Sequence, residues 1–521
     1  MAADRQPKRA EGPPAGVSQG QVWLDAVVFL SGAAVLVLEI VGTRVIAPFY
    51  GSTVYVWSSL IAVTLASLAA GYAVGGILAD RRDALATLSW ALAGAGVWVM
   101  SLPAISRGVL LATGALGVAA GSLASAAALF AIPLACLGGI SPLCVRLRTA
   151  DLERLGREVG RVSALSTAGS VAGALATGFV LVQAFSLPQL LGGTAALLLG
   201  LAAWTRVKAR RRGVLLAALA GVALLGSLRP REGGGVVLAR ERSFYGDAKV
   251  LQAGGRRILD IDGISNTVVE QASLESTSDY ITALELLPFL RPDARRALLI
   301  GLGGGSLVGR YRRFYGVETD VVEIDPAIER LARRWFGFAS PKPVFLEDGR
   351  RYLERPGPRY DLIVLDAFSG DHHPFHLFSA EAFAAASRRL AADGVFAMNV
   401  IGYALEPQDD LRKALYRTLS GVFPHVRVFV ANDGIDYRAD PVNLIFLASN
   451  APLEFRRDPA RGRSEVAALY ETVRSQFLPP LGPSEGLLLT DAYNPLETLG
   501  APAFRAIRKH LLASPLHRAT L

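Results

Sequence analysis

The sequence is short of cysteine, of charge and of acidic residues within its apolar runs, and each shortage excludes something. Two cysteines in 521 residues, Cys136 and Cys144, exclude a disulfide framework and a four-cysteine zinc site. Both sit in an apolar stretch and read as packing residues. Charged residues are 19% of the chain, where soluble globular proteins average about 25%. With 51% hydrophobic residues, the chain is too apolar to be mainly disordered and is expected to hold membrane-embedded segments. The net charge of +9 comes without a basic stripe interleaved with aromatics, so nucleic acid is not an expected partner.

What is present first is a series of apolar runs. A helix needs about twenty residues to cross about 30 Å of hydrocarbon. Trp23–Val45, Val56–Ala79, Ala84–Ile105, Ser122–Val145, Val162–Phe185 and Leu187–Trp204 qualify, and Val214–Leu228 is a shorter seventh run. Only eight charged residues lie between Val22 and Cys144. Gly71-Tyr-Ala-Val-Gly75 and Gly169-Ser-Val-Ala-Gly173 have the spacing that lets helix backbones approach, which predicts a bundle of six or seven helices over residues 22–228. Basic residues cluster before the first run and after the second, fourth and sixth, so the N-terminus and position 212 are expected in the cytoplasm. Residues 1–21 are expected to be a disordered cytoplasmic tail. Glu39 and Arg44 read as a satisfied buried pair or a snorkelling arginine rather than a solute path.

From Arg229 the texture changes to charged sequence with short β-branched runs. Val236–Glu241, Lys249–Ala253, Arg257–Ile261 and Thr267–Glu270 predict a small antiparallel sheet over residues 229–276, with a turn at Gly254-Gly255. Residues 277–521 then alternate strand and helix. Ala297–Ile300, Thr319–Ile324, Pro343–Leu346, Asp361–Leu365 and Val395–Val400 predict a parallel sheet with helices on both faces. Val426–Ala431 and Asn443–Ala448 are close enough to pair as an antiparallel edge, which suits a methyltransferase-like sheet. The fold class expected is therefore a multi-pass α-helical membrane bundle followed by α/β.

Ligands of such sheets sit beyond the carboxyl ends of the strands. There the sequence places Gly301, Gly303, Gly304 and Gly305, then Glu323, then Asp348-Gly349, then Asp366. The glycines expose backbone amides, and Glu323 stands at the offset expected of a carboxylate that accepts ribose hydroxyls. Ser306 replaces the third glycine that a dinucleotide pyrophosphate wants. Three carboxylates favour a cationic adenosyl ligand instead.

These residues resemble the spermidine synthase (polyamine aminopropyltransferase) family over nearly all of Val236–Leu447. The likeness rests on Glu241-Arg-Ser-Phe-Tyr, Leu259-Asp-Ile-Asp-Gly263, Tyr280, the glycine loop 301–305, Val322-Glu-Ile-Asp325, Glu347-Asp-Gly349 and Tyr360-Asp-Leu-Ile-Val-Leu-Asp366. With the helical half and Leu489-Thr-Asp-Ala-Tyr-Asn-Pro495, the whole looks like the membrane-fused spermidine synthase-like proteins of bacteria.

The resemblance implies a small β-domain and a Rossmann-like, methyltransferase-type sheet that binds decarboxylated S-adenosylmethionine as co-substrate. Gly301, Gly303, Gly304, Glu323, Asp348 and Gly349 would hold that co-substrate, Glu323 at the ribose and Asp348 at the adenine amine. Asp366 would be the base that takes a proton from the attacking amine. Tyr280, Ser369 and Asp371 are the substrate-side residues, the acceptor being putrescine or another amine, and a homodimer is a candidate assembly. The polyamine half departs from the family pattern: Gly304 stands where an aspartate is expected, Ile281 for a histidine, Thr282 for an acid, and Ser369 for a second aspartate. His372, His373 and His376 follow without matching further ligands, so no metal is expected. The alternatives are an S-adenosylmethionine-dependent methyltransferase and a polyamine transporter or sensor whose soluble part only binds. All three need a cytosolic pool, so the protein is expected in the cell membrane with its catalytic domain in the cytoplasm and Val214–Leu228 not fully spanning.

Overall fold

The computed structural model describes residues 22–513 apart from 51–53, 150–153, 210–213, 229–235, 244, 369–372, 432–436, 456–463, 476 and 483. The chain divides into two compact units: residues 1–42, 60–105 and 127–228, and residues 43–59, 106–126 and 229–521. The expected tail, residues 1–21, lies outside the described residues.

The helical half consists of α1 (Val22–Tyr50), α2 (Val54–Arg81), α3 (Ala84–Thr113), α4 (Gly117–Gly138), α5 (Ile140–Arg148), α6 (Leu155–Ala176), α7 (Val182–Ala184), α8 (Leu187–Lys208) and α9 (Val214–Leu228). Five stretches among the described residues are long and apolar enough to cross a membrane; one of them, Ala84–Arg148, is 65 residues long. That stretch holds the third and fourth runs read from the sequence, and Gly117 at φ +83° turns the chain between them. The expected span Ser122–Val145 is broken at Gly139, between α4 and α5. The run expected over Val162–Phe185 begins earlier, as α6, and continues through a π-helical turn at Thr177–Leu181.

The small-residue motifs do what their spacing predicts. A methyl group on Gly169 would stand 2.0 Å from the carbonyl oxygen of Phe29, and one on Gly173 would stand 2.5 Å from that of Ala33. Reciprocally, one on Gly32 would meet the Ser166 carbonyl at 2.2 Å. α1 and α6 therefore touch backbone to backbone, and the Ser170 hydroxyl donates to the Gly32 carbonyl across the contact at 3.0 Å. Gly71 and Gly75 make the same approach to Ala135 and Gly139. The charged residues near the α1 and α6 N-termini pair with one another: Arg148, at the end of α5, donates to Asp25 and to Glu158, and Arg161 donates to Asp25 at 2.7 Å. α9 packs along α8.

In the second unit β1 (Val236–Arg242), β2 (Asp247–Ala253), β3 (Arg256–Ile261) and β4 (Ile264–Glu270) form the expected antiparallel meander. The larger sheet holds β5 (Arg296–Ile300), β6 (Glu318–Glu323), β7 (Phe345–Leu346), β8 (Tyr360–Leu365), β9 (Leu390–Gly402), β10 (His425–Val430) and β11 (Val442–Ser449). Its order is β10-β11-β9-β8-β5-β6-β7, with β5 to β9 parallel and β11 antiparallel to both neighbours. β5, β6 and β8 are buried along nearly their whole length, as strands covered by helices on both faces must be. The covering helices are α10 (Asp279–Leu284), α11 (Leu287–Leu290), α12 (Ser306–Arg310), α13 (Pro326–Trp335), α14 (Gly349–Glu354), α15 (Ala380–Arg389), α16 (Asp410–Ser420), α17 (Ser464–Ser475) and α18 (Leu496–Ala513). The stretch Ser278–Leu290 forms two short helices, α10 and α11. Pro288 sits in the first turn of α11, where its missing N–H costs nothing.

The α1–α6 contact tolerates no side chain. Gly169→Val should destabilise the bundle by about 1–3 kcal/mol, the usual cost of overpacking. Thermal unfolding of the full chain in detergent would read this as a lowered midpoint, with Gly193→Val, at a position with open space, as the neutral control.

Candidate active site

The chain runs from β5 to β6 and β7 on one side, then returns to β8 on the other. The order therefore reverses between β5 and β8, where open parallel sheets bind ligands. The loop after β5 begins at Gly301, whose φ of +91° only glycine adopts readily. A Cβ there would stand 2.2 Å from the Asp366 carbonyl oxygen, so the two strand ends meet closely. Glu323 is the last residue of β6, and Asp348 and Asp366 follow the ends of β7 and β8, as the sequence predicts.

Each carboxylate is held differently. Glu323 is buried and accepts the Leu302 N–H through Oε2 and the Asp325 N–H through Oε1, each at 2.9 Å. Burial raises its pKa above the ordinary carboxylate value, against the pull of those backbone bonds. Each oxygen keeps a lone pair for a hydroxyl donor, so the group fits a ribose diol. Asp348 caps α14 by accepting the Arg351 N–H at 3.0 Å, and its other oxygen lies 2.8 Å from His376 Nε2. The His376 contact holds its carboxyl below the usual range.

Asp366 is the odd one. Its Oδ1 accepts from Asn399 Nδ2 at 3.0 Å, and Tyr280 also bonds to the carboxylate. Burial pushes its pKa up to about 6, while those two bonds pull the other way. Tyr280, expected on the substrate side, is thus brought onto the expected base. Burial and the Asp366 charge push its phenol well above its ordinary value, so it stays a donor.

Asn399 was not among the residues picked out from the sequence. It lies in the middle of β9 with 1% of its surface exposed, and its Oδ1 has no partner among the described residues. An orphaned buried acceptor beside a carboxylate suits an amine donor. One polar residue inside the apolar run Val395–Val400 was the available signal.

The glycine loop explains one departure from the family pattern. The Gly304 N–H donates to Thr267 Oγ1 at 2.9 Å, and a Cβ on Gly304 would stand 2.6 Å from the Thr267 methyl. Thr267 of β4 fills the space a side chain at 304 would need. Gly349 likewise has packing as its reason: a Cβ there would meet Ile300 at 2.5 Å. Ile281 is in the core, and Thr282 faces Arg310, whose guanidinium bonds Glu285 at 2.7 Å. Ser369 and Asp371 lie outside the described residues, as does His372. His373 is buried against Phe368, Phe378 and Phe504, while His376 engages Asp348.

Residues 279–432 match the family described as spermine/spermidine synthase domain. The chain carries a spermine/spermidine synthase domain. That domain and its relatives make the chain a transferase. It is 28% identical over 208 residues to the polyamine aminopropyltransferase of Vibrio vulnificus, covering 38% of this chain and 69% of that protein. It is 32% identical over 199 residues to the N-terminal histidine N-methyltransferase of Emericella nidulans, covering 36% of this chain and 34% of that protein. Among solved structures, a probable spermidine synthase from Corynebacterium glutamicum aligns at 19% identity with a TM-score of 0.41, over 50% of this chain and 99% of that one.

The Thr267–Gly304 fit is testable. Gly304→Ala should cost about 1–3 kcal/mol, because the Thr267 methyl must be displaced. In a Thr267→Ser background, which keeps the hydroxyl and removes the methyl, the same change should cost clearly less. Chemical denaturation of the four proteins measures the difference.

Proposed function

We propose that the protein is a polyamine aminopropyltransferase, moving an aminopropyl group from decarboxylated S-adenosylmethionine to an amine such as putrescine. The observation that carries the proposal is the Asp366 group: a half-buried carboxylate with a raised pKa, bonded by Tyr280 and Asn399 at the end of β8. Glu323 would take the ribose hydroxyls and Asp348 the adenine amine. The glycine loop would let the ligand approach its backbone.

An amine is protonated at neutral pH and cannot attack until it loses a proton. Asp366 would bind the ammonium and accept that proton. The amine nitrogen then bonds to the aminopropyl carbon as the carbon–sulfur bond breaks, and methylthioadenosine leaves as a neutral thioether. The sulfonium is already a good leaving group, so positioning supplies most of the remaining rate.

The pH dependence follows from the sign of the shift. Asp366 works as a base only when ionised, so kcat/KM should fall as pH drops below about 6. Asp366→Asn should keep affinity for decarboxylated S-adenosylmethionine and lose about 10²–10⁴-fold in turnover. A raised folded-state pKa means that ionising Asp366 opposes folding above that pH, so the variant should melt higher than wild type at pH 8 and not at pH 4. Calorimetry on the full chain in detergent should also show preference for the decarboxylated ligand. Preference for ordinary S-adenosylmethionine, or undiminished turnover without Asp366, would overturn the proposal, the former in favour of methyl transfer.

The proposal needs a cytosolic co-substrate, hence residues 229–521 in the cytoplasm and α9 not crossing. At fifteen residues α9 is about 22 Å long, short for a bilayer. The second compact unit also includes residues 43–59 and 106–126, around the links after the first and third apolar runs, which a cytoplasmic N-terminus puts on the outer face. A cysteine replacing Gly233 should resist an impermeant thiol reagent in intact cells. Labelling would make α9 a seventh crossing and deny the site its cytosolic ligand.

A further inference from the structure

The motif Leu489–Pro495 takes no part in the chemistry above, yet it is tied to the site by a continuous set of bonds. Asp491 accepts from Arg350 Nη2 at 3.0 Å and from the Ser379 hydroxyl. Asn494 Nδ2 donates to the carbonyls of Phe375 at 2.9 Å and Phe378 at 3.3 Å. Arg350 also donates to the His376 carbonyl at 3.1 Å and to Ser379 Oγ at 3.2 Å. The Leu489 carbonyl accepts the Ala380 N–H at 2.9 Å. Every residue from 375 to 380 except Leu377 is thus bonded by the motif or by Arg350, and the segment carries His376 to within 2.8 Å of Asp348.

We propose that the Leu489–Pro495 motif belongs to the co-substrate site, with Asp491 as a positioning residue that acts through Arg350 and residues 375–379 to set His376 against Asp348. This rests on the adenosyl reading of the site. Asp348 has one oxygen committed to capping α14 and the other to His376. An ionised, fixed carboxylate accepts a stronger hydrogen bond from an exocyclic amine than a mobile one. The spare lone pairs point where the two existing donors leave them, so moving His376 re-aims the acceptor. Arg350 links the two ends directly, because it lies two residues after Asp348 on α14 and pairs with Asp491 on the far motif. Burial pushes the Asp491 carboxyl up, but the Ser379 and Arg350 bonds outweigh it and hold the group below its usual range, so it stays charged as Arg350's partner.

The readout is base selectivity, which general loss of structure does not alter. Full-length protein in detergent is titrated calorimetrically with methylthioadenosine and with methylthioinosine, which lacks the exocyclic amine. Wild type should prefer the adenine ligand by about tenfold, the worth of one hydrogen bond to a charged group. Asp491→Asn and His376→Ala should each reduce that preference several-fold, and the double variant should be no less selective than His376→Ala alone. Ser379→Ala, which keeps every charge, should shift selectivity the same way by less and guards against an Asp491 variant that fails to fold. If Asp491→Asn and Ser379→Ala weaken both ligands equally and keep wild-type selectivity, or if the two single effects add, the motif is only structural and the proposal falls alone. Wild-type protein that binds neither ligand would overturn the adenosyl reading and this proposal with it.

Discussion

The site depends on how closely two strand ends approach. At position 301 a side chain would press into the Asp366 carbonyl at 2.2 Å, so β5 and β8 converge only because the first residue after β5 is glycine. The Asp366 N–H donates to the Ile300 carbonyl and the Gly301 N–H to that of Val322, which pins three strand ends together. The parallel pairing of β5 with β6 and β8 thereby brings the glycine loop, Glu323 and Asp366 to one crevice, although 65 residues of sequence separate Gly301 from Asp366.

Within that crevice, carboxylates of similar intrinsic acidity are given different tasks by their surroundings. His376 and a helix N-terminus favour the charged form of Asp348. Burial disfavours the charged form of Asp366, and Tyr280 and Asn399 offset only part of that. Glu323 lies between, desolvated but bonded by two backbone amides. Titratable groups whose environments push their affinities for protons apart are candidates for separate roles in acid–base chemistry. On the proposed reading, a base near pH 6 and an acceptor kept ionised would meet the different needs of amine activation and adenine recognition.

Much of this was legible in the sequence because it is periodic or local. Strands β5 to β9 announce themselves as apolar runs, the offset from Gly301 to Glu323 is set by one strand–helix–strand unit, and Asp348 and Asp366 sit at run ends. That a helix backbone approaches closely at Gly169 and Gly173 was legible from their spacing, whereas its partner, α1, was not. What escaped depends on contacts between distant segments. Asn399 meets Asp366 across neighbouring strands, Thr267 meets Gly304 from the other sheet, and Asp491 meets Arg350 across 141 residues. No spacing rule reports such pairs, since each residue alone is ordinary in its own element. The break at Gly139 escaped because a glycine inside an apolar run does not by itself end a helix.

The Thr267–Gly304 pair also constrains what can stand at position 304. A single change from glycine to an acid at 304 would drive a side chain into the Thr267 methyl, 2.6 Å from where its Cβ must lie. A single change at Thr267 to a residue without a hydroxyl would strip the Gly304 N–H of its acceptor and leave a buried donor unpaired. A side chain at 304 is therefore relieved by a residue at 267 that keeps the hydroxyl and loses the methyl, as serine does. Position 304 is consequently fixed by packing between the small sheet and the glycine loop. On the proposed reading, Asn399, whose Oδ1 has no partner among the described residues, would offer an incoming amine an acceptor beside Asp366.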